Sequence, residues 1–174
     1  MQALRDLADE SLVWVRVGGL HERYELRVGV DETAIASLTM QGAGGGQAQI
    51  GETTLRFRRS GLLGQRVTVE MDASEAPVAV YTGGGSVELT GGATYRWRKP
   101  RFWTNERDWV DASGQTIIRM RPTNWRDNVR VVCEPAAHAS SDGALLVILG
   151  KLLLALSNQD ATTAATITAV IGGA

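Results

Sequence analysis

Apolar and polar residues alternate along most of this chain, a pattern typical of β-strands with one buried face. In the segment RYELRVGV, the apolar face consists of Tyr24, Leu26, Val28 and Val30. The pattern predicts roughly a dozen strands: LVWVRV, RYELRVGV, TAIASLT, QAQIG, TLRFRR, RVTVEM, PVAVYT, SVELT, TYRWRK, DWVDA, TIIRMR and NVRVVCE. Turn signals such as GAGGG and DASG separate them. Because no connection is long enough to be a crossover helix, we expect mostly antiparallel pairing.

One segment, SSDGALLVILGKLLLALSNQD, does not alternate. From Ala144 to Leu156 every residue is apolar except Gly150 and Lys151. A helix that is apolar on all sides must be buried in a core or a membrane. This run would be on the order of 20 Å long as a helix, too short for a hydrocarbon layer about 30 Å thick. We therefore expect a soluble core helix over about residues 140–157, capped by Ser141 or Asp142 and ended by SNQD.

The helix and the strands together predict a fold. A barrel of about a dozen strands has an interior too wide for its own side chains to fill, and an apolar helix would plug it. The predicted fold class is mainly β, a closed antiparallel barrel of about twelve strands around a central hydrophobic C-terminal helix. We expect one domain over residues 1–174, with a tail at 161–174 of unassigned structure. Lys151 should lie near an end of the lumen, where it snorkels outward or pairs with a buried acid.

A weak internal repeat agrees with a barrel. TLRFRR and TYRWRK recur at an offset of 40 residues, and MDASE and VDASG at an offset of 39. A propeller has blades of about that length but needs at least about four of them. Duplicated meanders within one closed sheet fit the length of this chain better.

Composition narrows the possible settings. The net charge is −1, so no global field would attract the protein to nucleic acid or to a membrane. The chain has one cysteine, Cys133, which fits a reducing compartment. The first residues, MQALRDLADESLVWV, lack the basic start and apolar run of a secretion signal. We expect a cytoplasmic protein without a transmembrane span.

The chain resembles the tubby C-terminal-like superfamily, which includes the LURP-one-related proteins and the phospholipid scramblases. The resemblance is carried by YELRVG, TYRWRK, DWVDASGQTIIRMRP and the closing DGALLVILGKLLLAL, and it covers about residues 23–156. It implies a twelve-stranded barrel around a central hydrophobic helix, and it permits binding of anionic lipids. The tail ATTAATITAVIGGA is rich in small residues and departs from the family pattern. Three alternatives stay open for it: a last strand, a short helix or a loose end.

No catalytic motif stands out. His21 and His138 have no Cys, His or carboxylate at metal-ligand spacing, so no metal or cofactor is expected. A Cys133–His138 nucleophilic pair is conceivable, but Cys133 lies on the apolar face of its strand and is better interpreted as inert core. GAGGGQ lacks the Gly-Lys-Ser/Thr ending of a phosphate loop. Asp72 and Asp111 are interpreted as turn residues.

Charge is uneven in one region. Residues 93–130 contain nine Lys or Arg against four Asp or Glu, interleaved with Trp97, Phe102, Trp103, Trp109 and Trp125. Basic residues among aromatics suit an anionic headgroup. The alternative, which alternation favours for Arg96 and Arg98, is that the tryptophans are barrel core and the arginines its solvated face. The candidate ligand-binding residues are Arg56, Arg58, Arg96, Arg98, Lys99 and Arg101. The two arginines of the earlier repeat join this set only if their strand neighbours that of Arg96.

These observations favour a non-enzymatic binding or scaffold module, with an anionic phospholipid or another protein as partner. Two alternatives stay open: a scramblase-like membrane protein, and an enzyme with an unrecognised site. A protein partner would bind through the barrel wall or the N-terminal segment MQALRDLADES.

Overall fold

The structure is a computed structural model that describes residues 11–18, 22–28, 33–61, 66–72, 74, 76–123, 128–140 and 142–172. Within the helices, side chains are described up to residue 163, except those of 138 and 139. The predictions that concern residues 1–10, His21, Val30, Trp125 and Ser141 fall outside the described residues.

Twelve strands form one closed antiparallel barrel, which confirms the predicted fold class. They are β1 (Leu12–Val17), β2 (Arg23–Val28), β3 (Thr33–Met40), β4 (Gly45–Ile50), β5 (Thr53–Ser60), β6 (Arg66–Met71), β7 (Ala79–Thr82), β8 (Ser86–Leu89), β9 (Thr94–Arg98), β10 (Arg107–Val110), β11 (Thr116–Pro122) and β12 (Val129–Cys133). Each strand pairs with the next, and β1 pairs with β12 through Leu12↔Val131 and Trp14↔Val129. The chain is therefore a simple meander closed on itself, with connections alternating between the two ends.

Two helices follow the strands: α1 (Pro135–Ala139) and α2 (Gly143–Gly172). The first half of α2 runs through the barrel, and its buried side chains belong to the same hydrophobic cluster as the inner faces of the strands. The side chains of Leu146, Val147, Ile148, Leu149 and Leu152 are 0% exposed. The inner faces of the strands follow the predicted alternation, with Tyr24 and Leu26 buried. Wall and helix thus share one hydrophobic core.

The predicted end of the helix at SNQD is wrong. Residues 157–160 are helical, and α2 continues to Gly172. These polar side chains do not break a helix. They lie where α2 has left the barrel, and Thr162 and Thr163 donate their hydroxyls to the carbonyls of Asn158 and Gln159, each at 3.0 Å. No Gly or Pro occurs between Lys151 and Gly172, so nothing in the sequence ends the helix earlier.

Of the two placements predicted for Lys151, the outward one is wrong. This residue is 2% exposed, and its Nζ lies 3.7 Å from the centroid of the Tyr24 ring on β2. A cation over an aromatic face is attracted by the ring quadrupole, more strongly where water is excluded. The side chain therefore stays inside the wall.

The repeat maps onto strands four apart. TLRFRR forms β5 and TYRWRK forms β9, while Asp72 and Asp111 follow β6 and β10. Both arginine pairs point outward and both aromatic faces point inward. As expected of a turn residue, Asp111 accepts hydrogen bonds from the Ser113 hydroxyl at 2.6 Å and the Gln115 amide at 2.9 Å.

Candidate functional site

The six predicted binding residues do not converge. Arg56 and Arg58 lie on β5, whereas Arg96, Arg98, Lys99 and Arg101 lie on β9 and in the connection after it. Strands β6, β7 and β8 separate the two groups, which places them about 20 Å apart along the wall at the usual strand spacing. The two groups would form one patch only if β5 and β9 were neighbours, and they are not.

The β5 arginines are engaged on the outer wall. Arg56 forms an ion pair with Asp72 at 2.9 Å, and Arg58 forms one with Glu70 at 3.3 Å. On β9, Arg98 lies 3.9 Å from the carboxylate of Asp108 and donates to the Thr116 hydroxyl at 3.2 Å. These arginines belong to charge-balanced stripes, in agreement with the interpretation of exposed strand faces as ordinary solvated surface.

The connection between β9 and β10, residues 99–106, has a different surface; we name it the aromatic loop. Phe102 is 83% exposed and Trp103 is 67% exposed. Their rings pack edge to face with centroids 4.7 Å apart and planes at 86°. Among the described residues these are the exposed large hydrophobic side chains, whereas Trp97 and Trp109 face the core, where their centroids are also 4.7 Å apart.

The local sequence explains why the two rings point outward. Pro100 cannot continue the β9 ladder, so the chain leaves the sheet. A turn then closes where both the backbone N–H and the hydroxyl of Thr104 reach the carbonyl of Arg101 at 3.2 Å. Phe102 and Trp103 occupy the two central positions of this turn, which project away from the barrel.

Cations surround this aromatic tip. Residues 94–105 carry four basic residues and no acidic one. Within the described part of the chain, Arg96, Lys99 and Arg101 have no carboxylate within ion-pair distance. Lys99 and Arg101 lie on the loop itself and are exposed. The tip is thus apolar at its apex and positive around its base.

The loop sits at the end of the barrel from which α2 emerges; we name this end the exit rim. Strands β5, β7 and β9 end there, and Arg59 near the end of β5 binds Asp160 of α2 through two hydrogen bonds of 2.9 and 2.6 Å. This bidentate contact raises the pKa of Arg59 and lowers the pKa of Asp160. The pair fixes α2 against the wall on this side.

Two cavities open at the exit rim, one on each side of α2. The first, of about 360 Å³, lies beside the aromatic loop and is lined by Arg59, Val67, Tyr81, Gly83, Trp97, Arg107, Leu153, Leu154, Leu156, Ser157 and Asp160. We name it the rim pocket. The second, of about 730 Å³, is more polar and includes Arg16, Glu22 and Gln159. Gln159 donates to Glu22 at 3.0 Å, and its buried Oε1 has no hydrogen-bond partner among the described residues.

Nucleophilic or metal chemistry finds no support in the described residues. Burial raises the pKa of the Cys133 thiol to about 11, so the thiolate needed for attack is scarce at neutral pH. The side chain of His138, its conceivable partner, lies outside the described residues. No group of three or more His, Cys, Asp or Glu in the described ranges could hold a metal ion.

One helical segment, Gly143–Thr163, is long and apolar enough to cross a membrane by length and composition, and 67% of its most apolar window is buried inside the protein. The helix is longer than the sequence predicts, so its length no longer excludes a membrane span. Its burial inside the barrel favours a core helix, and the core helix of a soluble protein meets the same length and composition criteria.

Lys99 and Arg101, two of the six predicted residues, lie on the aromatic loop. Phe102 and Trp103 stand in the same sequence region but are not among the predicted binding residues. The available signal was the break in alternation at KPRFW, where an aromatic pair follows a proline. Compared with protein-family models, curated proteins and solved structures, the chain has no match in any of the three.

Proposed function

We propose that this protein is a non-enzymatic barrel module that binds anionic membrane surfaces through the aromatic loop. The observation that carries the proposal is the edge-to-face pair of Phe102 and Trp103, exposed at the apex of a turn whose base carries Lys99 and Arg101. Aromatic rings partition into the interfacial zone of a bilayer, and basic residues are attracted to anionic headgroups.

The free energies that the loop cations and the two rings contribute favour reversible binding. Each Lys or Arg close to an anionic leaflet contributes about 1 kcal/mol, so the two loop cations contribute about 2 kcal/mol. Partial burial of the two rings adds a few kcal/mol more, at roughly 25 cal/mol per Å² of apolar surface. Two weak signals of this kind are the usual requirement for peripheral attachment. Such binding should weaken with salt, because the charged part is screened.

The tubby-like resemblance belongs to the same proposal. It is supported by the number of strands, their antiparallel closure and the apolar helix that they enclose. A cytoplasmic location is consistent with it, because the cytoplasmic leaflet is the anionic one. A scramblase-like role would require α2 to enter the bilayer, and the core contacts of Leu146, Leu149 and Leu152 favour a helix retained in the barrel.

The test is co-sedimentation with vesicles of phosphatidylcholine alone and of phosphatidylcholine with phosphatidylserine. We expect binding only to the anionic vesicles. Lys99→Gln with Arg101→Gln should weaken it about tenfold or more, from the loss of about 2 kcal/mol. The matched control is Arg56→Gln with Arg58→Gln, which removes the same charge from another face of the barrel and should bind like the parent. Equal losses in both double variants would refute a localised site.

A further inference from the structure

We infer that the rim pocket binds the chain of a single-chain anionic amphiphile, with the anionic head at Arg107 and the hydrocarbon chain against α2. The shared chemistry is one acyl chain with a carboxylate or phosphate head. This ligand site is separate from the aromatic loop and does not require that the protein bind membranes.

The walls of the pocket are divided by polarity. One side is apolar: Val67 and Leu156 are 2% and 4% exposed, and Trp97, Leu153 and Leu154 are half-buried. Leu153 and Leu154 of α2 line the cavity opposite Val67 of β6 and Trp97 of β9. A volume of about 360 Å³ lies within the range of small-molecule sites. These features suit a hydrocarbon chain.

The polar side carries a cation suited to an anionic head. Arg107 is half-buried, and its Nη1 donates a hydrogen bond of 3.1 Å to the backbone carbonyl of Glu106. No carboxylate of the described residues forms an ion pair with it. A guanidinium has five N–H donors, so most of its donors remain for a carboxylate or phosphate.

The other charged groups of the pocket leave this cation uncompensated. Asp160 is the acidic residue in the lining, and both of its oxygens are bound by Arg59 at 2.9 and 2.6 Å. Tyr81 adds a hydroxyl: burial raises its pKa, and the proximity of Arg107 offsets part of that rise. The hydroxyl therefore stays protonated and can donate a second hydrogen bond to the same head.

The binding assay uses dansyl-labelled undecanoic acid below its micelle concentration and without vesicles, so its outcome is independent of membrane binding. We expect saturable binding at one site per chain. Two competitors identify the head: decanoic acid presents a carboxylate and a lysophosphatidic acid presents a phosphate. Decanol, with no charge, should compete at least about tenfold more weakly than decanoic acid, because a charged hydrogen bond is lost.

Two variants locate the site. Arg107→Gln should weaken probe binding about tenfold or more. Ser157→Trp, at an exposed helical position on the pocket lining, should block the pocket without disturbing the core. Arg130→Gln on the exposed wall and Ser157→Ala are the matched controls and should bind like the parent. Equal competition by decanol and decanoic acid, or unchanged binding in both Arg107→Gln and Ser157→Trp, would overturn the inference.

Discussion

The indole Nε1 of Trp109, on β10, donates a hydrogen bond of 2.8 Å to the backbone carbonyl of Leu146 in α2. Both residues are 0% exposed. Gly150 makes this contact possible, because a Cβ at that position would lie 3.0 Å from the same indole nitrogen and would collide with the sulfur of Met120. A specific close contact of Trp109 with the helix at Leu146 and Gly150 therefore holds the wall to the enclosed helix, in addition to general hydrophobic packing.

Replacing Trp109 by Phe tests the hydrogen bond. Phenylalanine keeps a six-membered ring but lacks the pyrrole ring and its N–H donor, so we expect the free energy of unfolding to fall by about 1–3 kcal/mol from the lost hydrogen bond and the cavity together. Urea denaturation followed by far-UV circular dichroism measures it. The control is Trp103→Phe at an exposed position, where a change within about 0.5 kcal/mol is expected. Similar destabilisation by both substitutions would contradict a specific contact at Trp109.

Replacing Gly150 by Ala sets two effects against each other. Alanine favours a helix over glycine by about 1 kcal/mol. Overpacking a closed core costs typically about 1–3 kcal/mol, and the new methyl would also lie 3.2 Å from the Trp97 ring. We expect net destabilisation, measured as above. Gly84→Ala, where a Cβ meets nothing within 4 Å, is the control and should be close to neutral. A more stable Gly150→Ala protein would show that the barrel wall leaves room for a methyl group at this position.

The buried carboxyl of Asp108 should make the stability of the folded protein depend on pH. It is 6% exposed, and burial raises the pKa of its carboxyl, with Arg98 and Arg119 offsetting part of the rise. Between the ordinary and the raised pKa the folded protein holds the proton more tightly than the unfolded chain, so stability falls as pH rises through this window. Asp108→Asn should therefore be more stable than the parent at neutral pH. The difference should shrink as pH falls below the ordinary carboxyl pKa of about 3.9.

The measurement is a series of urea titrations of both proteins from acid to neutral pH. Asp111→Asn serves for comparison, because hydrogen bonds from Ser113 and the local backbone lower the pKa of this exposed carboxyl and the expected sign is the opposite. A stability difference for Asp108→Asn that did not vary with pH would contradict the role assigned to burial.

The strands were predictable because the alternation is local. LVWVRV and RVTVEM form β1 and β6 with the bounds read from the sequence. The apolar run of α2 was equally clear, and the barrel was implied because a helix that is apolar on all sides has to be buried. The end of α2 was not predictable from polarity. SNQD is polar where the helix leaves the core, but the helix continues through it to Gly172.

The candidate site was harder to predict because it depends on the order of strands around the barrel. Two similar arginine pairs, on β5 and β9, look equivalent in the sequence, and only the pairing shows that three strands lie between them. Likewise, alternation predicts which side of a strand a tryptophan faces but gives no direction for Phe102 and Trp103. Those two residues depend on the turn after Pro100.

The most direct test of the account is the contact between Trp103 and the bilayer. Brominated phosphatidylcholine in vesicles containing phosphatidylserine quenches tryptophan that reaches the acyl chains. We expect quenching of the parent protein and its loss in Trp103→Phe, which keeps an aromatic ring at the tip and should remain bound in co-sedimentation. Trp125, outside the described residues, is replaced by Phe in both proteins, and the remaining tryptophans lie in the barrel. Equal quenching in both proteins, or none in the parent although it is bound, would then contradict insertion of the aromatic loop.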